Sequence, residues 1–148
     1  MDMFGNPVAA IVDGSALAVT VFTPDETPPN ITTFDLRNAP NGVDIILTVV
    51  FSETVNASTV DPTSFTLFDA PGSPNNYTLT GGIVTLVNSA EIDILITPGD
   101  LAAIKSRGPL ASTVDAGYLS AAAGAGVDMV GLTSPEITPD SAVKADQL

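Results

Sequence analysis

Val43-Asp44-Ile45-Ile46-Leu47-Thr48-Val49-Val50-Phe51 decides the fold class. Val43, Ile45, Leu47, Val49 and Phe51 fall on one face, and Asp44, Ile46, Thr48 and Val50 on the other. That period of two belongs to a strand. One face is wholly apolar and the other half so, which suits a central strand rich in β-branched residues.

The pattern continues outward. Asn38 to Gly42 reads as a turn, and Ile31 to Leu36 before it as a strand with Phe34 and Leu36 on one face. Ser52 to Asp61 is polar and turn-rich. Phe65 to Phe68 is a further strand, closed by the loop at 70–74. Tyr77 to Thr80 and Ile83 to Val87 flank Gly81-Gly82, the two-residue connection of a hairpin. Glu91 to Ile96 follows, with Ile92, Ile94 and Ile96 inward. Thr97 as cap, Pro98 at the first helical position, Asp100 in the first turn and Gly108 as stop predict one short helix near residues 98–106. Leu101 and Ile104 form its apolar stripe. Tyr118 to Ala122 returns to extended chain. Twelve glycines and twelve prolines are spaced as turn residues between short strands. The expectation is an all-β chain with one helical excursion.

Length and charge bound the function. The 148 residues suit one domain with a real core. A net charge of -13, from 17 acidic against 4 basic residues, repels phosphate backbones and anionic lipid, so nucleic acid is excluded as a partner. Cysteine, histidine and tryptophan are absent, which removes disulfides, thiolate chemistry, ordinary zinc sites and histidine-based triads. No stretch approaches the roughly 18 apolar residues of a membrane helix, so no membrane insertion is expected. The N-terminus lacks a basic region before its apolar stretch and carries no complete export signal.

Pro24-Asp25-Glu26-Thr27-Pro28-Pro29-Asn30-Ile31 is the main break in composition. Before it, Leu17, Val19 and Val21 alternate with Ala18, Thr20 and Phe22, which predicts a strand over 16–23 buried between two layers. Asp2-Met3-Phe4-Gly5-Asn6 matches Asp128-Met129-Val130-Gly131-Leu132 at a spacing of 126 residues, and Ser15-Ala16-Leu17-Ala18 is echoed by Ser141-Ala142-Val143-Lys144 at the same spacing. Self-similarity of this kind is the signature of a repeat. Residues 1–24 then read as an arm equivalent to the last strand of a preceding module, and 25–148 as a module whose C-terminal tail echoes the arm. Residues 8–23 and 134–148 compete for one structural slot.

Four segments carry a resemblance: Asp25-Glu26-Thr27-Pro28-Pro29-Asn30-Ile31, Val50-Phe51-Ser52-Glu53-Thr54-Val55, Asp61-Pro62-Thr63-Ser64-Phe65-Thr66-Leu67 and Asp2-Met3-Phe4-Gly5-Asn6-Pro7. Together they resemble the bacterial Ig-like repeat family of large surface and adhesin-type proteins. The resemblance implies an Ig-like β-sandwich of Greek-key type, an extracellular or cell-surface location, and neighbouring copies of the same module as partners. Gly131-Leu132 departs from the family's Gly-Asn exit, and the helix after Thr97 is an addition.

No catalytic constellation stands out, and the chain is not expected to be an enzyme. Ser141-Ala142-Val143-Lys144 has Ser-x-x-Lys spacing, but its companion motifs are missing. Nothing among the many acids nominates a glycosidase pair. Asp25 and Glu26 at the seam, with Asp2 or Asp128 at a module exit, read either as a solvated acidic linker or as hard oxygen ligands for Ca2+. The apolar arm residues Leu17, Val19, Val21 and Phe22 are an edge-pairing hazard. They either fold back on their own module or complete a neighbouring copy by strand addition. The expected role is a structural spacer or stalk unit. The alternative is an adhesive module that grips a glycan or protein ligand through the loop at 70–76 and the helix at 97–108.

Overall fold

The computed structural model describes residues 7, 10–16 and 18–148. Ile31–Asn38 (β1) and Ile45–Val55 (β2) pair antiparallel, with Phe34 opposite Val49 and Leu36 opposite Leu47. The turn between them is fixed by Asn41, whose side-chain oxygen accepts from the N–H groups of Val43 and Asp44, and by Gly42 at φ +69°. The strand begins two residues later than its alternation suggests, and Val43 is left exposed. It also runs through Val55 instead of stopping at Phe51.

The chain then crosses to Phe65–Phe68 (β3) and returns as Asn76–Thr78 (β4). Ile83–Val84 (β5) and Ser89–Leu95 (β6) lie on the far side of β2, and helix α1 covers Pro98–Lys105. Tyr118–Ala121 (β7) pairs with β3, and Val143–Gln147 (β8) fits between β7 and β1. The eight strands make one mixed, curled sheet in the order β4-β3-β7-β8-β1-β2-β6-β5. The parallel pairing is β1 with β8; the other neighbours are antiparallel. All-β character with a single α-helix is therefore observed among the described residues. The two sheets of a sandwich are not separate here, because β8 bonds to both halves.

One core lies inside the curl. Phe34, Leu47, Val49, Ile92 and Ile94 from one half meet Phe65, Leu67 and Leu119 from the other, all of them at most 1% exposed. Each such side chain contributes about 1.5–3 kcal/mol through burial. Close approach also dictates Gly126, where an added Cβ would stand 2.7 Å from the Phe51 ring.

Two expectations are corrected. Gly81-Gly82 does not turn a hairpin: β4 pairs with β3 and β5 with β6, at opposite ends of the sheet order. Leu79 is buried and its N–H bonds to the Phe65 carbonyl, so the chain dives across the core before Gly82, at φ +155°, lies against Ile94. The second concerns the arm. Among its described residues there is no strand, and Val19, Val21 and Phe22 are 78%, 80% and 79% exposed. Leu17 lies outside the described residues. Val143–Gln147 (β8) occupies the place between β7 and β1 in this chain.

Helix α1 is docked by one buried charge. Thr97 caps it by accepting from the Asp100 N–H, and Asp100, 1% exposed, points back toward β4. Its carboxylate accepts from the Tyr77 hydroxyl at 2.7 Å, the Thr80 hydroxyl at 2.6 Å and the Thr80 N–H at 3.2 Å. Ile104 supplies the apolar anchor, and Gly108 at φ +72° ends the run.

Candidate metal centre

Three segments converge where the chain enters the module. The first is the seam. Pro29 is fully buried, and the Asn30 and Ser52 backbones are tied by Ser52 N–H to the Asn30 carbonyl at 2.7 Å, with Asn30 N–H to Ser52 Oγ at 3.0 Å. Upstream, Asp25 folds into a small turn by accepting from the Thr27 N–H.

The second is the end of β2. Phe51 and Val55 are buried, and Glu53 lies between them in the same alternation, half-buried at the rim. Pairing with β6 is interrupted between Val50 and Val55, so the strand turns away from the ladder here.

The third is the turn at 127–133. The Asn56 N–H bonds to the Val127 carbonyl, and Asp128 bridges to Val55. Asp128 Oδ1 accepts from three successive N–H groups, Val130 at 2.9 Å, Gly131 at 2.6 Å and Leu132 at 2.8 Å. Gly131 takes φ +100°, a conformation other residues resist. The Asp-x-x-Gly spacing thus has a local physical cause. Asp128 is only 4% exposed, and its second oxygen, Oδ2, is buried with no hydrogen-bond partner.

Asp25, Glu53 and Asp128 each offer an oxygen within 4.8 Å of the other two. Thr54, Met129 and Val130 complete the walls of the cleft. Partial burial, then the charges of Asp25 and Asp128, push the Glu53 carboxyl above its ordinary pKa. No basic side chain relieves this crowding. Arg37 pairs with Asp93 at 2.6 Å, Lys144 with Asp115 at 2.7 Å, Arg107 lies over the Tyr77 ring, and Lys105 lines a cavity beside α1 and Leu148. An oxygen-only donor set suits a hard divalent cation.

Of the residues singled out from sequence, Asp25 and Asp128 come together. Glu26 is exposed and takes no part in the cluster, and Asp2 lies outside the described residues. Glu53 was missed because Ser52 to Asp61 read as turn, although Phe51-Ser52-Glu53 was already conspicuous as a motif. The two surfaces considered for ligand binding touch each other: Asn75 Nδ2 donates to the Arg107 carbonyl at 3.0 Å. No helix among the described residues is long and apolar enough to cross a membrane. No family model, curated protein or solved structure matches the chain.

Proposed function

We propose that this chain is a load-bearing spacer module of a larger, tandemly built surface protein, its curled sheet an Ig-like sandwich whose halves share β8. One observation carries the reading. The entry strand β1 and the exit strand β8 are adjacent and parallel, with Phe34 opposite Ala145. Chain enters at one end of this pair and leaves at the other. Tension along a tandem array therefore shears the β1–β8 contacts together, whereas an antiparallel terminal pair would open one bond at a time. Gln147 adds a lateral bond, its N–H donating to Asp35 Oδ1 at 3.0 Å.

The internal echo supports the tandem arrangement, since it sets Val19, Val21 and Phe22 at the positions of Ala145, Gln147 and Leu148. The arm is then the β8 of the preceding module, and neighbouring copies are its partners. Size-exclusion of the isolated chain over a range of concentrations is expected to show concentration-dependent self-association. A monomer throughout removes arm exchange between copies.

The spacer reading is tested by single-molecule pulling. A chain held by its two ends is expected to unfold in one cooperative step. Asp35→Ala is expected to lower the unfolding force while costing under about 1 kcal/mol at equilibrium, because the bond it removes is solvent-exposed. Progressive peeling at low force would sink the proposal.

A further inference from the structure

We propose that Asp25, Glu53 and Asp128 form a calcium site that fastens the entry segment onto the module. The inference goes beyond the spacer reading and stands on the geometry of the cleft alone.

Acidic clusters are common on a chain of this charge, so proximity is not the argument. Asp128 is. Its Oδ1 is occupied by three N–H donors, and the same turn that buries the side chain leaves Oδ2 without any donor. A buried carboxylate oxygen without a partner is costly, and here the Asp128 carboxylate also has an oxygen within 4.8 Å of oxygens of two further carboxylates, Asp25 and Glu53. Arg37, Lys144 and Arg107 are engaged elsewhere and Lys105 lines the cavity beside α1, so a bound cation is the group that resolves both the orphaned oxygen and the repulsion.

Coordination chemistry favours calcium. Its oxygen ligands lie at about 2.3–2.6 Å in a flexible geometry, and three oxygens within 4.8 Å of one another on separate segments are compatible with that sphere. Magnesium demands a near-ideal octahedron at about 2.0–2.1 Å and is usually held by one or two carboxylates. Calcium takes six to eight oxygens, and water entering the open side of the cleft supplies those that three carboxylates do not. The consequence is positional. Asp25 precedes the anchored Pro29, so calcium moves the first fixed point of the chain upstream and shortens the free hinge before the module.

The test is thermal melting of the whole chain in calcium chloride, in magnesium chloride, and in sodium chloride of matched ionic strength. Extracellular calcium modules bind at about 0.1–1 mM, so 10 mM calcium is expected to raise Tm by about 4–10 °C over sodium, with a smaller rise in magnesium. Glu53→Gln and Asp25→Asn, neither of which touches the Asp128 turn, are each expected to abolish most of that rise while leaving the fold intact. Glutamate-specific proteolysis gives a second readout. Cleavage after Glu26 is expected to slow in calcium, and to lose that protection in Asp25→Asn. An unchanged Tm in calcium, or a calcium shift retained by either variant, overturns the proposal.

Discussion

Asp100→Ala is expected to destabilise the module by about 2–4 kcal/mol, among the largest effects of any polar substitution in this chain. The carboxylate is the shared acceptor of the Tyr77 hydroxyl, the Thr80 hydroxyl and the Thr80 N–H. Alanine leaves these donors facing a void at the helix start, and each unsatisfied buried donor costs about 1–3 kcal/mol. The total is less than the sum because Thr80 lies near the surface and its groups rehydrate. Asp100→Asn keeps one acceptor oxygen but turns an NH2 toward groups that already donate, and is expected to cost about half as much.

The pH dependence has a definite sign. Burial alone would raise the Asp100 carboxyl, yet the bonds from Thr80, Tyr77 and Thr97 outweigh it and hold it below the ordinary range. A carboxyl lowered on folding contributes stability above its unfolded value, about 3.9, and loses it as pH falls through the folded value. Tyr77 is shifted the opposite way: its bond to Asp100 first, then burial, raise the phenol above its usual value. That contribution is present below about pH 10 and is lost as pH rises through the folded value. Chemical denaturation between pH 2 and 11 is therefore expected to show the wild type weakening at both extremes. Asp100→Asn should flatten both limbs. A variant that keeps the wild-type acid limb would show that other carboxylates, such as Asp61 or Asp115, dominate it.

Local signals made much of this fold legible. Ile45 to Phe51 and Ile92 to Ile96 each carry one continuously apolar face, and a one-residue slip would turn that face away from the core, so their inward sides were fixed in advance. Thr97, Pro98 and Gly108 likewise bound the helix by chemistry that acts within one turn. What escaped was long-range. Two glycines between short apolar runs read the same whether the runs pair with each other or with distant strands, and only the buried Leu79 distinguishes the cases. β8 looked like a tail because Val143 to Gln147 is polar. It is held by backbone pairing on both sides, which side-chain pattern does not encode.

The metal cleft divides along the same line. Asp25 and Asp128 were visible because each sits in a turn with a sequence signature. Glu53 projects from a strand end, where its neighbours are chosen by the sheet's curl and not by adjacent residues. Asp100 was read as an acid in the helix's first turn, but its burial under Tyr77 depends on where β4 lands.

Phe34→Ala is expected to cost about 3–5 kcal/mol, the range for truncating a fully buried aromatic ring. The position matters beyond the volume lost. Phe34 stands opposite Val49 on β2 and Ala145 on β8, so its ring fills the place where the entry strand, the central strand and the exit strand meet. Ala145 is small and 5% exposed, and has no side chain of its own to collapse into the void. The β1–β8 ladder has a short register, with an irregularity between Phe34 and Asp35, and so depends on packing more than a long ladder would. Loss should therefore be uneven. In hydrogen exchange, the Val143–Gln147 amides are expected to open first, while β2–β6, which keeps its own ladder from Ile46 to Val50, stays protected up to global unfolding. Phe34→Leu, which retains most of the ring's volume, is expected to cost about 1–1.5 kcal/mol and to preserve the ranking. If Phe34→Ala instead lowers protection equally across the sheet, β8 is no weaker than the rest of the fold. Shear of β1 against β8 would then not be the step that limits extension.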